Sequence, residues 1–309
     1  MMVTIPADRA QRIAALGYDY AAQPKEEIAS CNLCGGISFV VLTHRDRYGF
    51  PAEAHACNSC GLVFLNPRMT PAGYARFYDG IYRPLVSAFH GRLIDAKTIQ
   101  AEQREYAAER AAFVRPFLER SGPRAMLDIG GSTGIVAHHF AQEFGLEGTL
   151  IDPAPLEVEE ARKLGLETIT DLVEHHEFGS RRFDLVLICQ TVDHLLDIHG
   201  VLERVRHLLS LQGLLFIDIV DFRAAYLRNW SVEDAIKIDH PYYLTQETMS
   251  GYLRRAGFDV LRTDFAADHL HVSYLCWPNV PAGDAIPRAD IVARLLQEVR
   301  FVQNAPRPR

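Results

Sequence analysis

Between residues 124 and 220 the sequence alternates short apolar runs with longer amphipathic stretches, and this alternation constrains the fold most. Strands are predicted at 125–129, 149–151, 168–169, 183–189 and 214–219, and helices near 134–144, 155–164 and 199–210. Such alternation indicates a parallel sheet with helices on both faces. The later apolar runs 258–265 and 270–276 are only four residues apart. That link is too short for a crossover, so these two strands are expected to be antiparallel.

The first of these strands leads into a glycine-rich loop, Leu-Asp-Ile-Gly-Gly-Ser-Thr-Gly, over residues 127–134. A phosphate-binding loop would need Gly-Lys-Ser/Thr, and the dinucleotide pattern would need glycines where Ser132 and Ile135 stand. The pattern acid-x-G-x-G-x-G is met at three of its four positions, by Asp128, Gly130 and Gly134. A carboxylate beside the loop opposes a pyrophosphate and favours a cationic ligand.

Four segments together resemble the class I S-adenosylmethionine-dependent methyltransferases. They are LDIGGSTG, LIDPAP, FDLVLICQTVDHLLD and GLLFIDIVD, and the resemblance covers about residues 90–277. It implies a doubly wound, Rossmann-like, mostly parallel seven-stranded α/β sheet with an antiparallel last strand. It also implies cofactor-binding residues: Asp128, Gly130, Gly131 and Gly134 for the methionine part, Asp152 for the ribose, and Asp171 and Gln190 near the adenine. Tyr82 is predicted in addition to close over the cofactor.

Two near copies of a cysteine motif, CNLCGG and CNSCGL, precede this region. Four thiolates in two such turns are the tetrahedral set that zinc prefers, and the following glycines suit turns with positive φ. We predict a structural Zn²⁺ held by Cys31, Cys34, Cys57 and Cys60, with a redox dithiol as the alternative. The remaining cysteines, Cys189 and Cys276, are predicted to be buried apolar fillers.

The cysteine motifs followed by CGLVFLNPRMTPAGYARFYDGIYR resemble the zinc-binding methyltransferases of bacterial sugar and surface-glycan pathways, including deoxysugar C-methyltransferases. The resemblance implies a small-molecule acceptor, a sugar nucleotide or glycan precursor, methylated on oxygen or carbon. The catalytic Glu-His pair of those enzymes falls at Asp239 and His240, with Lys237 where they have tyrosine.

A histidine is the natural general base near neutral pH, and two of the thirteen histidines are candidates. His194 follows the fourth strand and His240 follows the fifth. The segment 220–244 is predicted to be an irregular acceptor-binding lid, in which Tyr242 and Tyr243 form an apolar wall with hydroxyl tips.

The predicted organisation has four parts: an N-terminal segment and zinc ribbon at 1–66, a helical connector or lid at 67–122, the cofactor domain at 123–280, and a C-terminal helix and tail at 281–309. A net charge of −7 gives no reason to expect a nucleic-acid partner. No apolar run approaches membrane-spanning length and the start lacks an apolar signal region, so a cytoplasmic protein without membrane insertion is expected. Two other classes stay open: a zinc-ribbon binding module with an inactive methyltransferase-like domain, and an NAD(P)-dependent oxidoreductase.

Overall fold

The computed structural model describes residues 7–118, 124–281 and 289–306. Its elements in chain order are α1 (Ala7–Ala14), β1 (Lys25–Glu26), β2 (Phe39–Thr43), β3 (Ala54–Cys57), β4 (Val63–Leu65), β5 (Arg68–Met69), α2 (Pro71–Gly80), α3 (Tyr82–His90), α4 (Gln100–Leu118), β6 (Arg124–Ile129), α5 (Ile135–Phe144), β7 (Leu146–Ile151), α6 (Pro155–Lys163), β8 (Glu167–Ile169), β9 (Phe183–Ile188), α7 (Ile198–Leu208), β10 (Leu209–Val220), α8 (Phe222–Asn229), β11 (Tyr242–Tyr243), α9 (Gln246–Arg255), β12 (Phe258–Phe265), β13 (His271–Pro278) and α10 (Ala289–Asn304).

A seven-stranded sheet in the order β12-β13-β10-β9-β6-β7-β8 forms the centre of the fold. Its central strands are almost wholly buried because they are continuous apolar runs packed by helices on both faces. Only β13 among these strands runs against the others, with Ile217 opposite Tyr274. The predicted α/β class, the mostly parallel sheet and the reversed last strand are confirmed.

The chain changes direction across the sheet between β6 and β9, which lie side by side although β7 and β8 separate them in sequence. Helices and loops after two such strands diverge to opposite sides, and this leaves a crevice at the carboxyl ends of the strands. The glycine loop follows β6 and the segment with His194 follows β9, so the topology brings both to this crevice.

A second sheet, in the order β11-β4-β3-β2, contains the hairpin between the two cysteine motifs. Its fourth strand comes from far along the chain: Tyr242 pairs with Phe64 and Tyr243 with Val63. Side chains of the cysteine region also belong to the same apolar core as the central strands β9 and β10. The ribbon is therefore joined to the cofactor domain by backbone pairing and by a shared core.

That pairing corrects the prediction of a loose lid at 220–244. The segment contains α8, and its apolar side chains Val232, Ile236 and Ile238 are buried. Tyr242 and Tyr243 are 2% and 4% exposed, and their hydroxyls bond the backbone carbonyls of other residues instead of facing an open cavity. Sequence periodicity could not show this, because the strand that covers the segment lies about 180 residues earlier.

The glycine-free, Ala/Glu/Arg-rich stretch from about residue 93 to 118 favours one long helix that closes near Gly122 and Pro123, but α4 begins only at Gln100. Asp95 accepts hydrogen bonds from the backbone N–H groups of Lys97 and Thr98, and its own N–H donates to the Thr98 hydroxyl. These local bonds hold a turn where propensity alone favours helix. Gly122 and Pro123 lie outside the described residues.

Because the ribbon shares a core with the sheet, we expect Phe64→Ala to destabilise the whole structure. Phe64 is 1% exposed, and its ring centre lies 5.0 Å from that of Phe39. The cavity should cost about 3–5 kcal/mol, and urea unfolding should show one transition by both circular dichroism and tryptophan fluorescence. Leu211→Ala, at a fully exposed position, is the control and should change stability by less than about 0.5 kcal/mol. Two separate transitions would contradict the shared core.

Candidate active site

A cavity of about 560 Å³ opens at the carboxyl ends of β6 and β9. Seven of the eight predicted cofactor residues line it: Tyr82, Asp128, Gly130, Gly131, Asp152, Asp171 and Gln190. The predicted base His194 lines it as well, together with Tyr74, Tyr78, Arg83, Tyr106 and Thr191. The crevice thus brings together residues from the glycine loop, from the end of β7 and from the helices α2 to α4.

The glycine loop needs its small residues because neighbouring side chains approach its backbone closely. A Cβ on Gly130 would lie 2.2 Å from the Thr191 methyl, and one on Gly131 would lie 2.6 Å from Asp128 and Leu150. Ser132 stands where the family pattern has glycine, and it adopts the left-handed conformation itself, with φ +51°. The loop therefore keeps the shape of the pattern despite the substitution.

Gly134 is the predicted cofactor residue that does not line the cavity. It has φ +75° and begins α5, and a Cβ there would lie 2.7 Å from Ala161 on α6. Its small size lets α5 and α6 approach each other behind the loop. Cys189, predicted as a buried filler, instead lies half-buried in the cavity wall, whereas Cys276 is fully buried as predicted.

Asp128 is the most unusual group of the cavity wall. Its side chain is fully buried, and neither carboxylate oxygen has a hydrogen-bond partner among the described residues. Burial, together with the negative charge of Asp152, raises the pKa of Asp128 to about 7. An uncompensated buried carboxylate is costly unless a cation reaches it, so this wall fits a positively charged ligand.

Asp152, at the end of β7, is held by the backbone on both oxygens. Ser132 N–H donates to Oδ2 at 2.9 Å and Ala154 N–H donates to Oδ1 at 2.8 Å. Burial raises the pKa of Asp152 to about 6. The two amides fix the carboxylate and leave further lone pairs for hydroxyl donors on the cavity side.

Helix α3, which lines the cavity with Tyr82 and Arg83, is tied to the cofactor domain by charge. Arg83 donates from Nε and Nη2 to one oxygen of Glu157, at 2.9 and 2.7 Å. Glu157 also accepts from the Ser132 hydroxyl, so it links α3 to the glycine loop. The sequence analysis did not find this pair, because 74 residues separate its members and no local pattern marks it.

Gln190 follows β9 with φ +50°. Its N–H donates to Asp218 at 2.6 Å, and Tyr106 donates to the other oxygen of Asp218 at 2.7 Å. Asp171 follows β8 and also lines the cavity.

The candidate acceptor side is a cluster of histidines and acids below α2. His194 Nδ1 lies 2.6 Å from the Tyr78 hydroxyl and 3.1 Å from the Asp239 carbonyl oxygen. The Tyr78 hydroxyl also donates to that carbonyl at 2.8 Å. When the Tyr78 hydroxyl donates its hydrogen bond to the carbonyl, Nδ1 of His194 carries the ring hydrogen and acts as a donor. Nε2 of His194 then keeps its lone pair.

His240 packs behind His194, with ring centres 4.3 Å apart, and does not reach the cavity wall. Its Nδ1 lies 2.8 Å from Asp193, and its Nε2 lies 3.1 Å from Lys237 Nζ and 3.3 Å from Asp239. Burial acts to lower the pKa of His240, but the carboxylates of Asp193 and Asp239 together outweigh it, so the net pKa is raised. The sequence placed both histidines near the acceptor, whereas the structure brings only His194 to the surface of the cavity.

The cysteine motifs bring four thiols together at the far side of the ribbon hairpin. The Sγ atoms of Cys31 and Cys60 are 3.5 Å apart, as are those of Cys34 and Cys57, and all four lie within 4.8 Å of one another. Gly35 and Gly61 adopt positive φ angles of +72° and +77°, as the motifs predicted. Tetrahedral zinc with Zn–S bonds of about 2.3 Å requires a cluster of this size.

The fold and the cavity together are those of an S-adenosylmethionine-dependent methyltransferase. Residues 99–263, more than half of the chain, match the profile of the family described as Methyltransferase domain, and the chain belongs to that family. This membership sets aside the alternative of an oxidoreductase. None of the curated protein sequences matches the chain.

Solved methyltransferase structures have a similar fold at low identity. The CcbJ methyltransferase from Streptomyces caelestis is 16% identical, with a TM-score of 0.45, covering 57% of this chain and 89% of its own. Magnesium protoporphyrin IX methyltransferase from Synechocystis with bound S-adenosylmethionine is 14% identical, with a TM-score of 0.45, and the match covers 60% of this chain and 83% of its own. A methyltransferase from Clostridium acetobutylicum is 14% identical, with a TM-score of 0.46, and the match covers 67% of this chain and 99% of its own. Within the described residues, no helix is both long and apolar enough to cross a membrane.

The pKa of Asp128 leads to a prediction about donor affinity. Below pH 7 the carboxyl of the free protein is protonated and cannot offset the sulfonium or ammonium charge. Affinity for S-adenosylmethionine should therefore rise from pH 5.5 to 7.5 and level off above pH 7.5. Calorimetric titration at each pH measures this. Asp128→Asn should bind about tenfold more weakly at pH 8 and lose most of this pH dependence. An unchanged pH profile in the variant would show that another group controls affinity.

Proposed function

We propose that the protein methylates a sugar nucleotide or a related glycan precursor, on oxygen or carbon, and that His194 acts as the base that removes a proton from the acceptor. The observation that carries this proposal is the position of His194, the histidine of the cluster that lines the cavity. Its half-buried ring is held on one edge by Tyr78 and the Asp239 carbonyl. The other edge is left to receive a proton or a hydrogen bond from an acceptor.

The proposed cofactor roles follow from the positions of the residues that line the cavity. Asp128 and the backbone at Gly130 and Gly131 hold the charged methionine end, and Asp152 accepts from the ribose hydroxyls. Asp171 and Gln190 flank the adenine, and Tyr82 covers the cavity from α3. S-adenosylmethionine supplies an electrophilic methyl group next to a sulfonium charge.

The chain's own contribution to the chemistry is alignment and proton removal. In-line displacement gains most from holding the acceptor atom opposite the methyl group, and the Arg83–Glu157 pair keeps α3 in place for this. Burial, with the added effect of His240, lowers the pKa of His194 to about 4. His194 is therefore neutral at physiological pH and available as a base.

Aromatic side chains support a sugar acceptor. Tyr74, Tyr78, Tyr82 and Tyr106 all line the cavity, and the rings of Tyr78 and Tyr82 lie 5.3 Å apart. Flat aromatic rings bind the apolar faces of sugars. These tyrosines of α2 to α4 take the role that the sequence had suggested for Tyr242 and Tyr243.

The acceptor class is tested with isotope-labelled S-adenosylmethionine and a panel of nucleotide sugars, free sugars and non-sugar phenols and amines. Incorporation into at least one nucleotide sugar, with mass analysis locating the methyl group, is the expected result. Transfer only to phenols or amines would overturn the sugar assignment while leaving the methyltransferase intact.

His194→Asn should lower kcat by about 10²-fold or more, with unchanged affinity for S-adenosylmethionine. His240→Asn acts through the position of His194 and should lower kcat less. Because the pKa of His194 is about 4, kcat of the wild type at saturating donor should stay level from pH 6 to 8. His175→Asn, on an exposed loop, is the matched control. A larger loss in His240→Asn than in His194→Asn would transfer the base to His240.

We also propose that the four cysteines hold one structural Zn²⁺. The thiol spacing and the two glycine turns support this ligand set. Metal analysis of protein purified without chelator should return one zinc per chain, and Cys57→Ser should lose it while Cys189→Ser keeps it. Because the cysteines share a core with the sheet, Cys57→Ser should also lower the melting temperature of the cofactor domain. Zinc-free wild-type protein with normal stability would favour the dithiol alternative.

A further inference from the structure

Phe89, near the end of α3, is covered by two arginines from separate parts of the chain. The guanidinium carbon of Arg9, on α1, lies 4.2 Å from the ring centre, and that of Arg47, on the β2–β3 connection, lies 3.9 Å from it. The two guanidinium carbons therefore lie no more than about 8 Å apart. His90 and Tyr48 complete the ring of neighbours, with ring centres 5.1 and 5.3 Å from Phe89.

Neither arginine is neutralised in the described part of the chain. The nearby Arg12 and Arg92 pair with Asp8 and Glu102, but no carboxylate of residues 7–118, 124–281 or 289–306 lies within ion-pair distance of Arg9 or Arg47. The Nε atoms of both Arg9 and Arg47 are buried without a hydrogen-bond partner. Two uncompensated cations held together in a chain of net charge −7 require a reason.

The acid next to Arg47 in sequence is turned away from this cluster. Asp46 precedes Arg47, but its oxygens accept from the N–H groups of Tyr48, Phe50 and Ile238 inside the protein. The pKa of His90 is lowered by burial and by Arg47, Arg92 and Arg9, which agrees with an excess of positive charge. The cluster thus offers unused guanidinium donors to an anion from outside.

The geometry points to an anion site formed by Arg9, Arg47 and His90, which binds the diphosphate of the acceptor. Guanidinium groups are the preferred partners of phosphate oxygens, and two of them match a doubly charged group. The choice of a nucleotide-linked diphosphate rests on the proposed function. The anion site itself rests only on the cluster.

The position of the cluster suits an acceptor that reaches from the cavity. Helix α3 begins with Tyr82 and Arg83 in the cavity wall and ends with Phe89 and His90 at the anion site. Seven residues of helix separate the two ends by about 10 Å. A nucleotide-linked sugar covers such a span, whereas a free monosaccharide does not. Arg47 belongs to the cysteine ribbon, so the ribbon would contact the acceptor directly.

The test uses the full chain and inorganic pyrophosphate as the probe, titrated by calorimetry at low and high salt. Pyrophosphate should bind, more weakly at high salt, and Arg9→Met and Arg47→Met should each weaken it at least about tenfold. Methionine keeps apolar packing on Phe89, and Arg47→Lys should retain part of the affinity. Arg45→Met, an exposed arginine of the same loop, is the matched control and should bind as the wild type. Binding of S-adenosylhomocysteine by every variant verifies the fold.

Absence of pyrophosphate binding, or equal weakening by Arg45→Met, would overturn the anion site. With an active nucleotide sugar, Arg9→Met and Arg47→Met should raise KM for that acceptor at least about tenfold, with a smaller change in kcat. An unchanged KM would overturn the site and leave the proposed function standing. Pyrophosphate binding without methylation of any nucleotide sugar would overturn the proposed acceptor and leave the anion site standing.

Discussion

The pairing of β11 with β4 is the contact on which the site depends. Only two residue pairs form it, yet Leu65 N–H also bonds the Pro241 carbonyl at 3.0 Å and extends the attachment. The pairing holds the chain just before Tyr242, where Asp239 and His240 lie, against the ribbon. Because Asp239 presents its carbonyl to His194 and Tyr78, the ribbon fixes the candidate base from behind. A module that sequence motifs suggest is separate is thus part of the active-site frame.

Paired buried charges hold that frame together. Asp193 and Asp239 face Lys237 and His240 in a region without solvent, where each unpaired charge would be costly. Burial alone would raise the pKa values of both acids, but His240 beside them lowers both below the ordinary range. Lys237, which stands where the sequence resemblance implies a tyrosine, places its Nζ 3.1 Å from Nε2 of His240.

The sequence predicted what depends on local pattern. The strands and helices of the sheet domain, the reversed strand β13 and the positive φ angles at Gly35 and Gly61 follow from periodicity, loop length and motif spacing. The predicted cofactor residues came from the family resemblance, and seven of them line the cavity. The sequence could not predict contacts between distant segments. Burial of 220–244 needs a strand from the ribbon, and the Arg83–Glu157 pair has no local signature. The depth of His240 behind His194 likewise depends on how two loops pack, which a motif does not encode.

Charge is distributed unevenly along the path that an acceptor would take. The donor end is acidic, with Asp128, Asp152, Glu157 and Asp171 in its wall and Arg83 already paired to one of them. This field attracts a sulfonium cation and repels a phosphate. The unpaired arginines lie at the other end of α3, next to Phe89. A molecule with a neutral sugar at one end and a diphosphate at the other would be oriented by this difference before it makes any specific contact. Under that arrangement the diphosphate binds far from the acids, and the sugar hydroxyls meet His194 and the tyrosines. The same field would disfavour the reversed orientation, in which an anion would lie against the buried carboxylate of Asp128.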